Sequence, residues 1–346
     1  MKNIYDLSFS EVESYIKDIG EAGFRSKQIW EGLYQLHNSA WEDFSSLPKT
    51  LREKLGSDYS LNSLTKIESV FSNDLQTEKV LFQLPDLNFI ESVLLRKDDR
   101  LTLCISTQSG CPVGCVFCAT GNLGFKRNLS GGEIIEQVIY FINALKPKNE
   151  KLTNIVLMGM GEPFLNYDNT MTAVERLNDA GGLNIGARRI TISTIGISNK
   201  IKEFSEKELQ INLSISLHAP NDQLRQQLVP IAKNHPIREL IEACRSYISK
   251  TNRRITFEYV MIKGINDSPK FASELFSLLR GLNCHVNLIP LNSNMHFSGK
   301  PSDPAVIREF GRILIEKGIA ASIRDSQGSD IQAGCGQLAG KIIGNQ

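Results

Sequence analysis

Past Arg100 the chain runs as short β-rich segments alternating with helical ones, and no other feature limits its fold as strongly. The β-rich runs fall at residues 101–106, 154–158, 189–193, 211–216, 254–260 and 285–289, with a further short run at 320–323. Helical spacing of apolar residues occupies 132–145, 169–178, 237–249, 269–279 and 304–316. Regular alternation of this kind builds parallel βα units. It fits an open doubly wound sheet and a partial barrel alike. In either fold ligands bind just beyond the C-terminal ends of the strands, where the polar and glycine-rich clusters of this chain fall.

Before that core, residues 1–59 carry apolar side chains at spacings of three and four, through 9–19, 29–36 and 51–55, which predicts a small helical module. Two alternating runs, 79–84 and 89–95, flank Pro85-Asp86-Leu87-Asn88, a hairpin turn. The expected layout is a helical module over 1–75, a hairpin linker over 76–100 and an α/β core over 101–346. A chain of 346 residues is long enough for a barrel-sized core with an attachment. Lys and Arg total 39 against 38 Asp and Glu, which argues against a protein that coats a polyanion but leaves room for a basic patch. The N-terminus lacks the apolar stretch of a signal peptide, and no run approaches the roughly 20 apolar residues of a membrane span. The expectation is a cytoplasmic protein with no membrane partner. Its seven cysteines then read as metal ligands or working thiols rather than a disulfide framework.

Three of those cysteines sit in Cys111-Pro-Val-Gly-Cys115-Val-Phe-Cys118, directly after the first core run. A tight loop can aim all three thiols at one centre. Structural zinc takes four protein ligands, usually as two separated pairs, and a zinc knuckle remains the alternative; three thiolates on a [4Fe-4S] cluster leave one iron open. The spacing, with Phe117 before the last cysteine, resembles the radical S-adenosylmethionine (SAM) superfamily. That resemblance implies a cluster held by Cys111, Cys115 and Cys118 whose open iron chelates SAM and cleaves it reductively to a 5′-deoxyadenosyl radical. Candidate SAM contacts stand at successive strand ends: Gly161 and Glu162 in Gly159-Met-Gly-Glu-Pro163, Ser193, Ser216-Leu217-His218, and Asn292. The glycines admit close backbone approach, Glu162 suits the SAM ammonium, the serines and His218 suit ribose or carboxylate, and Asn292 suits adenine. Each of these is equally open to a plain capping or turn role.

Of the other four cysteines, Cys244 and Cys284 read as buried small hydrophobes. Cys335 differs, because Gly334 and Gly336 flank it and leave its sulfur little shielded. With this loop added, the chain resembles the RlmN/Cfr family of RNA adenine methyltransferases along essentially its whole length. The carrying segments are the three-cysteine loop, Met158-Gly-Met-Gly-Glu162-Pro163, Ser216-Leu-His218-Ala-Pro220-Asn221-Asp222, Asn287-Leu-Ile-Pro290 and Gly334-Cys335-Gly336-Gln337-Leu338. The resemblance implies a partial (β/α)6 radical SAM barrel and two SAM molecules per turnover. It implies that Cys335 is methylated by one SAM, that the radical from the second removes hydrogen from the S-methyl group, and that the resulting methylene radical adds to adenine. It further implies Cys104 as the thiol that resolves the adduct by forming a disulfide with Cys335, and Glu91 as the proton acceptor. Without the resemblance, Cys104 reads as a buried strand thiol and Glu91 as an exposed hairpin carboxylate.

The implied substrate is 23S ribosomal RNA, with transfer RNA in the carbon-2 branch, and the implied partners include an electron donor such as flavodoxin or ferredoxin. A monomer is expected. Arg25, Lys27 and the pairs Arg96-Lys97, Lys126-Arg127, Arg188-Arg189 and Arg253-Arg254 are candidate RNA contacts, with the helical module as the RNA-binding element. The residues after Glu162 (Pro-Phe-Leu-Asn-Tyr-Asp), His218 (Ala-Pro) and Cys335 (Gly-Gln-Leu-Ala-Gly) favour methylation of carbon-2, whereas Thr194-Ile195-Gly196 is shared with carbon-8 enzymes. Carbon-8 methylation is the alternative within the family, and a non-catalytic, metal-stapled RNA-binding protein is the alternative outside it.

Overall fold

The computed structural model describes residues 1–207, 209–324 and 326–340. The last six residues of the expected core, 341–346, lie outside that range. Ten strands form one sheet: β1 (Thr65–Phe71), β2 (Thr77–Gln83), β3 (Phe89–Lys97), β4 (Arg100–Cys104), β5 (Asn154–Leu157), β6 (Ile190–Thr194), β7 (Asn212–Ser216), β8 (Ile255–Met261), β9 (Cys284–Pro290) and β10 (Ala320–Ile323). They lie side by side in chain order. β4 to β10 are mutually parallel, and β1 to β4 are antiparallel. The short run at 320–323 thus adds a seventh parallel strand beside β9.

Strand composition decides between the two folds left open above. Along β6 to β9 the residues Ile190, Ile192, Leu213, Ile215, Ile255, Phe257, Val286 and Leu288 are fully buried in the hydrophobic core. The residues between them, Thr191, Ser193, Asn212, Ser214, Thr256, Glu258, His285 and Asn287, line two cavities on the other face. A doubly wound sheet carries helices on both faces and its parallel strands are apolar on both. Here one face is polar and open, as on the inner wall of a partial barrel, and the helices pack on the outside.

The hairpin strands extend the barrel sheet rather than link two bodies. β3 pairs with both β2 and β4, so the antiparallel strands share hydrogen bonds with the core. Leu87, at φ +65° in the turn, lets Leu84 N–H reach Asn88 O at 2.8 Å. The strand β1 lies within the span assigned above to a helical module. Its register shifts at Lys66/Glu68, and this bulge breaks the two-residue apolar period by which a strand is recognised.

The true helical part comprises Phe9–Asp18, Phe24–Tyr34 and Lys49–Asp58. Ser8 and Glu11 close a reciprocal capping box at the first of these, and Tyr34 packs between Tyr5 and Trp30. This layer docks on the core helix Gly131–Leu145. Asp6 Oδ1 accepts from Gly132 N at that helix's N-terminus (2.7 Å), and buried Glu136 accepts from Asn3 Nδ2, from Ser63 N and Oγ and from Leu64 N. Among the described residues no helix is long and apolar enough to cross a membrane.

Candidate active site

The C-terminal ends of β5 to β10 converge on one cavity. Its wall includes Cys111, Cys115, Cys118, Gly161, Glu162, Ser193, Ser216, His218, Asn292 and Cys335. Residues from strands up to five positions apart in the sheet meet here, which the curl of the barrel makes unavoidable. Leu217, between Ser216 and His218, instead packs in the hydrophobic core, as the strand's two-residue alternation requires, and is not part of the wall. Cys104 and Glu91 are not part of the wall.

The cysteine loop is held from several sides. Cys111 N donates to Gly124 O, Val116 N to Leu228 O, and Cys118 N to Cys115 O. Burial pushes all three thiols above their ordinary range, and their mutual repulsion adds to this for Cys111 and Cys115. Such a set becomes stable as thiolates when a cationic metal group neutralises it. Three half-buried thiols on one cavity wall are the ligand number that leaves one iron of a [4Fe-4S] cluster open, whereas structural zinc takes four protein ligands. Phe117 packs edge-on against the His218 ring at 5.0 Å and closes the site behind the loop.

Opposite the cysteines, Gly161 turns the chain at φ +105°, where a Cβ would stand 2.6 Å from Gln108 Cβ. This bend delivers Glu162, whose Oε1 and Oε2 accept from Phe164 N (3.0 Å) and Ile195 N (2.8 Å). Burial raises its pKa to about 7, against the lowering effect of those bonds. An arriving ammonium would hold it ionised. His218 is also left-handed, at φ +60°, and its Nδ1 accepts from Val260 N at 3.1 Å. The ring is therefore neutral with its proton on Nε2, and burial, helped by the Arg225 charge, keeps its pKa near 3. Ser193 Oγ and Ser216 Oγ stand 3.4 Å apart on adjacent strands.

Cys335 is exposed and lies on the cavity wall. Asn292 Nδ2, matched above to adenine, here donates to Cys335 O at 3.1 Å, and Ala119 N, next to Cys118, donates to Gly336 O at 2.7 Å. These bonds tie the Cys335 loop to the barrel mouth. Cys104 is half-buried in β4 and close enough for the Cys335 charge to reinforce burial in raising its pKa to about 12.

Two wall residues escape the motif reading. Glu258 on β8 is buried, accepts from Ser214 Oγ (2.8 Å) and Asn287 Nδ2 (3.0 Å), and is raised above the usual carboxylate range by burial. Arg324 follows β10, and its guanidinium is held charged chiefly by Cys335, then by Glu258 and Cys104. An ionisable residue at an inward position of an otherwise apolar strand is the signal by which Glu258 is recognisable in Ile255-Thr-Phe-Glu-Tyr-Val-Met261. Arg324 carries no such signal.

Glu91 is 1 % exposed and bonds to Lys79 at 3.0 Å, Ala339 N at 2.7 Å and Gly340 N at 3.0 Å. Of the candidate RNA contacts, Arg127 pairs with Asp86 and Glu133, and Arg96 with Glu150. Lys27, Arg188 and Arg189 are exposed.

Comparison with known proteins returns one consistent group. The Radical SAM superfamily model matches residues 105–274, and a ribosomal RNA large subunit methyltransferase N-terminal domain model matches residues 2–60. A probable dual-specificity RNA methyltransferase RlmN of Clostridium novyi (strain NT) is 43 % identical over 345 residues, covering 100 % of both chains. The ribosomal RNA large subunit methyltransferase N of Nitrosopumilus maritimus (strain SCM1) is 43 % identical over 352 residues, covering 99 % of this chain and 100 % of the relative. A crystal structure of a radical SAM methyltransferase from Sphaerobacter thermophilus superposes with a TM-score of 0.96 at 45 % identity, covering 99 % of this chain and 100 % of that one.

Proposed function

Since the chain belongs to the RlmN family of radical SAM methyltransferases, we propose that it methylates carbon-2 of an adenine in 23S ribosomal RNA, and in transfer RNA, through an S-methylcysteine at Cys335. The observation that carries this reading is that Cys335 shares one cavity wall with Cys111, Cys115, Cys118 and Glu162.

The three cysteines would hold a [4Fe-4S] cluster, which with bound SAM supplies a carbon radical able to take hydrogen from an S-methyl group. Gly161, Glu162, Ser193, Ser216 and His218 would hold SAM, with Glu162 facing its ammonium. Cys335 Sγ attacks the methyl carbon of a first SAM; the new S–CH3 bond replaces the methyl–sulfonium bond, and S-adenosylhomocysteine leaves. This detour has a chemical reason. Adenine carbon-2 is electrophilic and will not attack a sulfonium methyl, whereas a carbon-centred radical on the Cys335 methyl adds to it. The adduct radical gives up one electron, which the cluster would take back, and loses the carbon-2 proton to Glu91, the matched acceptor. Cys104 as thiolate then attacks Cys335 Sγ, the S–S bond forms as the sulfur–methylene bond breaks, and the freed methylene carbon takes up a proton to become the methyl group. Arg324, whose charge is felt by both thiols, would steady negative charge as it passes between them. The helical layer that matches the N-terminal domain model carries the RNA, with Lys27 exposed on its surface. A basal expectation for partners is a one-electron donor of the flavodoxin or ferredoxin class.

The test uses anaerobically reconstituted enzyme, a reductant, and RNA deuterated at adenine carbon-2. The expected outcome is 5′-deoxyadenosine release with loss of the label from the methylated base. Retention of deuterium in that base refutes carbon-2 chemistry, and an iron-free protein that releases no 5′-deoxyadenosine refutes the radical reading.

A further inference from the structure

The Cys335 loop leaves β10 and runs back across the antiparallel strands before it reaches the barrel mouth. Gln327 Nε2 donates to Arg96 O, and Asp330 Oδ2 accepts from Asn73 N, along that path. Two side chains of the hairpin then take hold of the loop on either side of Cys335. Lys79 Nζ donates to Gln332 O at 3.3 Å, three residues before the cysteine. Glu91 Oε2 accepts from Ala339 N and Gly340 N, four and five residues after it.

Lys79 and Glu91 bond to each other at 3.0 Å, with side chains 5 % and 1 % exposed. In the register of β2 and β3, Lys79 faces Val93 and Leu81 faces Glu91, so the pair is a diagonal one on a single face of the sheet. A buried pair of this kind adds little net stability, because desolvation offsets its attraction. What it supplies is direction. Each charged group also bonds the loop, so the distance between the two ends of the loop is set by one rigid link.

We propose that Lys79 is a positioning residue for the methyl carrier: with Glu91 it clamps both ends of the 332–340 loop and thereby sets where Cys335 Sγ stands over the cavity. This rests on the reading of Cys335 as the methyl carrier. The middle of the loop is already tight, since Gln337 Oε1 accepts from Gly334 N and Gln337 Nε2 donates to Ser293 O. With its ends released, that compact turn would shift on its remaining contacts, those with Asn292, Ser293 and Ala119 and the bond from Thr120 Oγ1 to Leu338 O at 2.6 Å. The cavity wall contributed by the strands would stay as it is.

The experiment measures methylation of Cys335 by SAM in the cluster-loaded holoenzyme, by mass of the Cys335 peptide, alongside SAM affinity. Lys79→Met is expected to slow methylation by roughly ten- to a hundred-fold, the usual effect of misplacing a nucleophile by about 1 Å. SAM affinity should stay within about two-fold, because no SAM contact is altered, and Lys79→Arg should recover most of the rate. Alkylation of the Cys335 peptide by iodoacetamide should become faster in Lys79→Met. Should that variant fail to load its cluster, Lys79→Leu, which likewise has no donor, is measured the same way. Wild-type methylation in a soluble Lys79→Met or Lys79→Leu protein overturns the clamp, as does a parallel loss of SAM affinity and methylation that Lys79→Arg does not repair. A wild-type enzyme that carries no methyl on Cys335 overturns the carrier role itself, a result separate from either.

Discussion

Replacing Gly161 by alanine tests whether the bend after β5 is what builds the proposed SAM site. The new Cβ would meet Gln108 at 2.6 Å (Cβ) and 2.7 Å (N). Gln108 cannot swing aside, because its Oε1 accepts from Glu162 N and its Nε2 donates to Asn128 Oδ1, both at 2.8 Å. The glycine's φ of +105° adds about 1–3 kcal/mol of backbone strain for an L-residue. The overlap adds about 1–3 kcal/mol more. Gly281→Ala is the control: its φ is +78° with nothing within 4 Å, so it carries only the backbone cost. The difference between the two variants isolates the overlap. Relief must come from the 158–162 segment, which displaces Glu162, and each 1.4 kcal/mol of strain relieved at the ligand's expense weakens SAM binding about ten-fold. Equilibrium binding of SAM to cluster-loaded enzyme and thermal unfolding are the assays. Gly161→Ala should lose about ten-fold in affinity and melt several degrees lower, whereas Gly281→Ala should keep full affinity. A Gly161→Ala protein matching Gly281→Ala in both would refute the reasoning.

Two further outcomes follow from the site. Burial lowers the His218 pKa from 6.5 to about 3, so the unfolded chain binds the extra proton between those values. Its contribution to stability is complete above pH 6.5 and is lost as pH falls toward 3, by up to about 1.4 kcal/mol per unit. Chemical denaturation from pH 7.5 to 5 should show this slope and His218→Asn should flatten it; equal slopes would place the effect elsewhere. Cys104→Ala should leave Cys335 methylation within about two-fold and, with reductant and RNA, accumulate a covalent protein–RNA species on denaturing gels. Free methylated RNA at the wild-type rate from that variant would remove Cys104 from resolution.

Much of the site is readable in the chain because its chemistry is local. Cys111, Cys115 and Cys118 fall within one loop, Glu162 follows a glycine bend, and Cys335 stands between two glycines. Short-range spacing also yields the βα alternation, since apolar periods of two and about 3.6 arise from neighbours along the chain. The strand β1 is hidden because a bulge at Lys66/Glu68 disrupts that period. The polar inner face of the barrel is present in the sequence as alternating Ser, Thr, Asn and Glu, but only the curled sheet shows that these residues look into a cavity and not into a helix layer.

Long-range partners are another matter. Glu91 reaches Ala339 across 248 residues and Lys79 reaches Gln332 across 253, and both meetings depend on the register of β2 against β3 and on the return path of the last loop. Arg324 gains its place beside Cys335 and Glu258 in the same way. Sequence alone determined the three-cysteine loop, the parallel core and the family, because motifs of neighbouring residues carry all three. Tertiary structure decided that the hairpin grips the Cys335 loop and that Glu91 sits inside that grip, because those contacts exist only once remote strands are paired and the chain has come back across them.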